Sequence, residues 1–112
     1  GLDGQYRLWV EFGLADEKRI KRASHRADKV LVCAYGGQDL TGWWKQHQGK
    51  YERIGHLQVL AFSNQQLDAT LPFVERGMHL AVTIDEEGGL LISNGRLDLS
   101  LQPQLLKQWQ LR

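Results

Sequence analysis

Residues 29–35, KVLVCAY, are almost wholly apolar and stop at the pair Gly36-Gly37. A run this short with no polar alternation reads as a strand covered on both faces, the situation of an inner strand in a parallel arrangement. The segment upstream behaves differently. Residues 7–12, RLWVEF, alternate, with Leu8, Val10 and Phe12 on one face and Trp9 and Glu11 on the other. Between the two, LADEKRIKRASHRA has helical spacing, with Ile20, Ala23 and Ala27 on one side and Ser24 beside them. Asp16 is placed to cap that helix and Glu17 to complement its dipole; the pattern predicts an end near Asp28. Strand, helix and strand within about 30 residues define a βαβ crossover, which is right-handed.

The remainder predicts a second helix over 39–48 carrying Trp43 and Trp44, then a short apolar strand over 56–62. NQQLDATLPFVERG is helical in pattern, aligning Leu67, Leu71 and Val74, with Pro72 set to kink it. MHLAVTID, LLIS and RLDLSL then alternate with period two. Met78, Leu80, Val82 and Ile84 share one face of the first, and Leu97, Leu99 and Leu101 share one face of the last. Glu87-Gly88-Gly89 and Asn94-Gly95 supply the turns. The tail PQLLKQWQLR predicts a short helix. The expected architecture is a mixed α/β domain: a βαβ unit followed by a C-terminal antiparallel meander.

Composition narrows the function by exclusion. The 112 residues are 42% apolar and 24% charged, with a net charge of +1, so any attraction for nucleic acid must come from local clustering. No apolar run approaches the roughly 18 residues that span a bilayer, so no membrane partner is expected. The one cysteine, Cys33, cannot close an internal disulfide and reads as a small buried hydrophobe in a reduced, cytoplasmic setting. His25, His47, His56 and His79 lack zinc spacing, and YGGQDLTG lacks the lysine of a phosphate-binding loop.

The chemistry concentrates at EFGLADEKRIKR. Side chains at i and i+2 of a strand point the same way. Metal-dependent nucleases of the E-x-K type use that spacing: the carboxylate holds Mg²⁺ and the lysine positions or deprotonates the attacking water. Here Glu11 fills the carboxylate place and Gly13 stands where the lysine belongs. The following helix offers replacements. With Ile20 facing the sheet, Arg19 and Lys21 flank its buried stripe, while Lys18 and Arg22 lie further toward solvent. Lys21 is the better stand-in for a base, and Arg19 the better phosphate clamp. The plainer alternative is a solvated basic face on which Glu11 pairs with one cation. Likewise Trp43 and Trp44 are read as one buried and one half-covered ring, with base stacking or a protein interface as the sharper reading.

Together, LWVEFGLADEKRIKRAS, ADKVLVCAYGG, WWKQ and VERGMHLAVTIDEEGGLLISNG resemble the YaeQ family of bacterial proteins over nearly the whole chain. The resemblance implies a restriction-endonuclease-like core of the PD-(D/E)XK superfamily. It also implies that residues 1–112 form a single domain lacking an N-terminal part of the family fold. Glu11 then matches the motif carboxylate, Gly13 departs from the motif lysine, and Asp3, eight residues before Glu11, stands for the first motif acid. The implied function is Mg²⁺-dependent phosphodiester cleavage or a degenerate relic of it. Glu11 and Asp3 would bind metal, Lys21 or Arg19 would supply the missing cation, and Lys18, Arg19, Lys21 and Arg22 would meet phosphates. The alternative is a non-catalytic nucleic-acid-binding or protein-interaction module, the latter working through Trp43 and Trp44.

Overall fold

In the computed structural model, residues 6–73 and 81–110 are described. Strand β1 (Tyr6–Phe12), helix α1 (Glu17–Arg26) and strand β2 (Ala27–Ala34) form the expected crossover, and β1 pairs parallel to β2. Helix α2 (Gln38–Tyr51) and strand β3 (Leu57–Ala61) repeat it, with β3 parallel to β2. Helix α3 (Asn64–Thr70) follows, then strands β4 (Ala81–Ile84), β5 (Leu90–Ser93), β6 (Asp98–Leu101) and β7 (Gln104–Lys107). Strands β4-β5-β6 make the predicted antiparallel meander, and a separate sheet has the order β1-β2-β3-β7.

Three layers explain why residues 30–34 of β2, and every residue of β3 except Gln58, are apolar. On one face of the four-stranded sheet, Val30, Val32, Leu57 and Val59 pack under Ile20 and Ala23 of α1 and Trp43 and Tyr51 of α2. On the other face, Leu31, Cys33 and Leu60 pack against Phe73 and against Leu90 and Ile92 of the meander. Burial pushes the Cys33 thiol up to about 12, so it behaves as the hydrophobe its neighbours imply.

Boundaries moved where tertiary demands entered. Helix α1 ends at Arg26, not near Asp28, because Ala27 is already extended and opens β2. Helix α3 is fixed at its start by a capping box between Ser63 and Gln66. It gives way to a single 3₁₀ turn (Leu71–Phe73) at Pro72, whose ring cannot continue an α-helix. The aligned Val74, and with it Met78, His79 and Leu80, lie outside the described residues. The β5–β6 connection spans four residues: Asn94 Oδ1 accepts from the N–H groups of Arg96 and Leu97, and Gly95 has φ +87°.

The tail is a strand where a short helix was expected. Strand β3 would otherwise present a bare edge, and β7 pairs antiparallel to it. Lys107 ends buried, its Nζ donating to the carbonyls of Leu57 at 2.9 Å and Gln108 at 3.2 Å, and desolvation lowers its pKa. Among the described residues, no helix is long and apolar enough to cross a membrane.

Strand β3 also buries Gln58 completely, and among the described residues neither its amide nitrogen nor its oxygen has a hydrogen-bond partner. An unsatisfied buried amide costs about 1–3 kcal/mol. Gln58→Met keeps an unbranched side chain of similar volume and removes the polar atoms. We expect it to raise the free energy of unfolding by about 1 kcal/mol or more, read from urea denaturation midpoints. A lowered midpoint would mean that the amide is satisfied in solution.

Candidate functional site at the end of strand β1

Glu11 sits one residue before the end of β1 and is buried, 8% exposed. Strand spacing places Trp9 on the same face, and its indole Nε1 donates to Glu11 Oε1 at 2.6 Å. From the first turn of α1, Arg19 Nε donates to Glu11 Oε2 at 2.8 Å. The carboxylate therefore accepts at both oxygens. Glu11 raises the Arg19 pKa, so this cation does not titrate and cannot act as a base.

The loop joining β1 to α1 is held at every residue. Gly13 donates its N–H to Cys33 O at 3.0 Å and has φ +114°, a region that L side chains rarely adopt. The strand thus ends at Phe12, and position 13 does not continue the extended geometry that an E-x-K lysine needs. Leu14 packs against the helix-side core. The carbonyl of Ala15 accepts from Trp43 Nε1 at 2.8 Å and from Tyr51 Oη at 3.1 Å, both on α2. Burial pushes the Tyr51 hydroxyl up to about 12, so it stays a donor. Asp16 Oδ1 caps α1 by accepting from the Arg19 N–H at 2.8 Å. Glu17 bonds Lys50 at 3.0 Å and His47 at 3.3 Å, tying the start of α1 to α2, and the Lys50 bond leads in lowering its pKa.

Glu11, Phe12, Leu14, Ala15, Asp16 and Arg19 line an open concavity of about 400 Å³. Of the two cations proposed to replace the missing lysine, Arg19 reaches Glu11. Lys21 is exposed and lies outside this lining, as do the exposed Lys18 and Arg22 on the same helix. Asp3 lies outside the described residues. Asp16 is a second carboxylate on the concavity, legible in the sequence only as a helix cap. Trp43 and Tyr51 were also missed: they act on this loop through one carbonyl, and no motif records that. Trp43 is buried and Trp44 half-buried, which suits the plainer reading of the pair.

Among the described residues the donor set does not suit Mg²⁺ as it stands. Mg²⁺ takes an octahedral oxygen shell. Among the described residues, no group of three or more His, Cys, Asp or Glu side chains converges, and Glu11 is already clasped by an indole and a guanidinium.

Comparison with known proteins gives the kinship of this arrangement. The family model described as YaeQ protein matches residues 1–103. The chain belongs to the YaeQ family. It is 38% identical over 103 residues to the uncharacterized protein YaeQ of Salmonella typhi, covering 92% of this chain and 55% of that one. The YaeQ of Escherichia coli strain K12 is 34% identical over the same shares. The chain therefore spans about half the length of these YaeQ relatives. The crystal structure of YaeQ from Xanthomonas axonopodis pv. citri superposes with a TM-score of 0.62 at 29% identity, over 90% of this chain and 56% of that one. The YaeQ crystal structure from Pseudomonas syringae has the same TM-score at 24% identity, over 95% and 57%, and supports the fold alone.

Proposed function

We propose that this YaeQ chain is a nucleic-acid-binding module on a restriction-endonuclease-like core whose cleavage site has degenerated. One observation carries the reading: Arg19 is anchored at Nε by the buried Glu11 while its side chain stays 64% exposed. Its two Nη groups make no hydrogen bond among the described residues and are free to fork onto a phosphate. An arginine fixed in this way loses less entropy on binding than a free one. Lys18, Lys21 and Arg22 add exposed charge on the same helix. The backbone at Gly13 and the occupied Glu11 carboxylate weigh against retained catalysis. Phosphate contact through these cations is sequence-independent and sensitive to salt.

The test is fluorescence anisotropy with labelled DNA and RNA, single- and double-stranded, from about 50 to 200 mM salt. Affinity should fall steeply over that range. The combined variant Lys18→Ala, Lys21→Ala, Arg22→Ala should reduce the slope of log affinity against log salt by about three. Neither the parent nor Glu11→Ala should cut any of these substrates with Mg²⁺ or Mn²⁺ present. Cleavage by the parent that Glu11→Ala abolishes would replace this reading with a metal-assisted nuclease. Binding unmoved by the triple variant would end the nucleic-acid reading in both forms.

A further inference from the structure

Arg19 and Glu11 meet by less than their chemistry allows. A guanidinium and a carboxylate frequently form a fork, with two nitrogens each donating to a different oxygen. Here Arg19 donates from Nε alone, to Glu11 Oε2 at 2.8 Å. The other oxygen, Oε1, accepts instead from the Trp9 indole at 2.6 Å. Among the described residues neither Nη of Arg19 has a hydrogen-bond partner.

The chain explains which donor takes Oε1. Trp9 and Glu11 are two residues apart on β1 and share its helix-side face. Trp9 is half-buried and packs against the core beneath α1 and α2, so its ring is held by its neighbours. A part-buried indole N–H also needs an acceptor, and Oε1 is the one beside it. Arg19 reaches Glu11 from a separate element, on a long side chain that is 64% exposed. The strand therefore sets the plane of the carboxylate, and Arg19 meets what the indole leaves.

We propose that Trp9 is a positioning residue for Arg19: by holding Oε1 it stops the arginine from closing onto Glu11 as a fork, and so keeps both Nη groups outward for an incoming phosphate. This rests on Arg19 being the phosphate contact proposed above. A fork closed on Glu11 would occupy one of the Nη donors that a phosphate needs for its own two-point contact. The indole thus weakens the Glu11–Arg19 pair and leaves its outer donors free. A merely structural Trp9 gives the opposite sign. Were the indole only stiffening β1, losing its N–H would loosen Glu11 and Arg19 with it. As a positioning residue, its loss tightens that pair and weakens the phosphate contact.

The experiment uses Trp9→Phe and, to keep the shape of the ring, the chain carrying the benzothiophene analogue of tryptophan at position 9, which has no N–H. Heteronuclear NMR of the arginine side chains reads the pair, and anisotropy with a labelled single-stranded DNA reads the contact. In the parent the Arg19 Nε–H should be protected while its Nη hydrogens average by rotation. In both variants one Nη should become resolved from the other, and affinity should fall about threefold to tenfold. In an Arg19→Ala background Trp9→Phe should change affinity by less than about twofold, because the effect passes through Arg19. Trp44→Phe, which alters a half-buried ring on α2, is the control that should move neither reading. Absence of DNA binding by the parent would end the phosphate reading, and the NMR would still decide whether Trp9 holds Arg19 open. Two results would overturn the positioning role. One is an Arg19 Nε–H that exchanges faster in both variants with no Nη resolved. The other is an affinity that Arg19→Ala lowers but loss of the indole N–H leaves unchanged.

Discussion

Trp43→Ala lowers the free energy of unfolding by about 3–5 kcal/mol, the range for deleting a large aromatic from a packed core. The ring is buried and meets Trp44, His47 and Tyr51 at centroid distances of 6.1, 6.1 and 5.8 Å. Truncation opens a cavity beneath α2 and removes one of the two donors to the Ala15 carbonyl. Trp43→Phe separates the two effects. It keeps most of the packing and loses the hydrogen bond, so it should cost nearer 1 kcal/mol plus a modest volume term. Trp44→Ala should cost less than Trp43→Ala, because Trp44 is only half-buried. Urea denaturation of the three variants gives the comparison. A Trp43→Ala cost below that of Trp44→Ala would contradict the burial order. The loss should also be felt at Arg19, since Ala15 immediately precedes the cap of α1; a rise in backbone exchange over 14–19 would report it.

Gly13→Lys restores the E-x-K spelling and should restore nothing else. It is expected to destabilise the protein by about 1–3 kcal/mol, the cost of holding an L residue in a sparsely populated backbone region. An added Cβ would meet nothing closer than Tyr35 Oη at 3.8 Å, so space is not the obstacle; φ +114° is. Gly13→Ala should therefore cost about as much as Gly13→Lys. No cleavage of DNA or RNA should appear with Mg²⁺ or Mn²⁺, because a lysine leaving this backbone does not emerge beside Glu11 as a strand residue would. A Gly13→Lys protein as stable as the parent, or one that gains cleavage, would show that the loop relaxes into the extended form.

Position 13 shows how far motif reading reaches. Spelling alone treats Gly13 as a lysine that was lost, leaving the strand intact. In the fold the glycine is where the strand stops, and its positive φ turns the chain toward the carbonyl that Trp43 and Tyr51 hold. The same limit applies to the replacement cation. Helical geometry puts Arg19 and Lys21 symmetrically about Ile20, with Lys21 the better stand-in for a base and Arg19 the better phosphate clamp. The entry angle of α1 breaks that symmetry and brings Arg19 to Glu11. The tail failed differently: LLKQW suits a short helix locally, but the open edge of β3 offers a ladder that an isolated turn of helix cannot match.

Local periodicity by itself determined the βαβ opening, the buried strand β2, the existence of the short apolar strand β3, the helix carrying the two tryptophans, the capped start of α1 and the meander at the end. Each follows from side-chain period and capping chemistry, which act within a few residues. The tertiary structure alone decided which face of β1 is covered, which cation meets Glu11, how the tail pairs and where Gln58 is stranded. Those depend on which layers stack and which edges are left over, and contacts between residues far apart in the chain fix them.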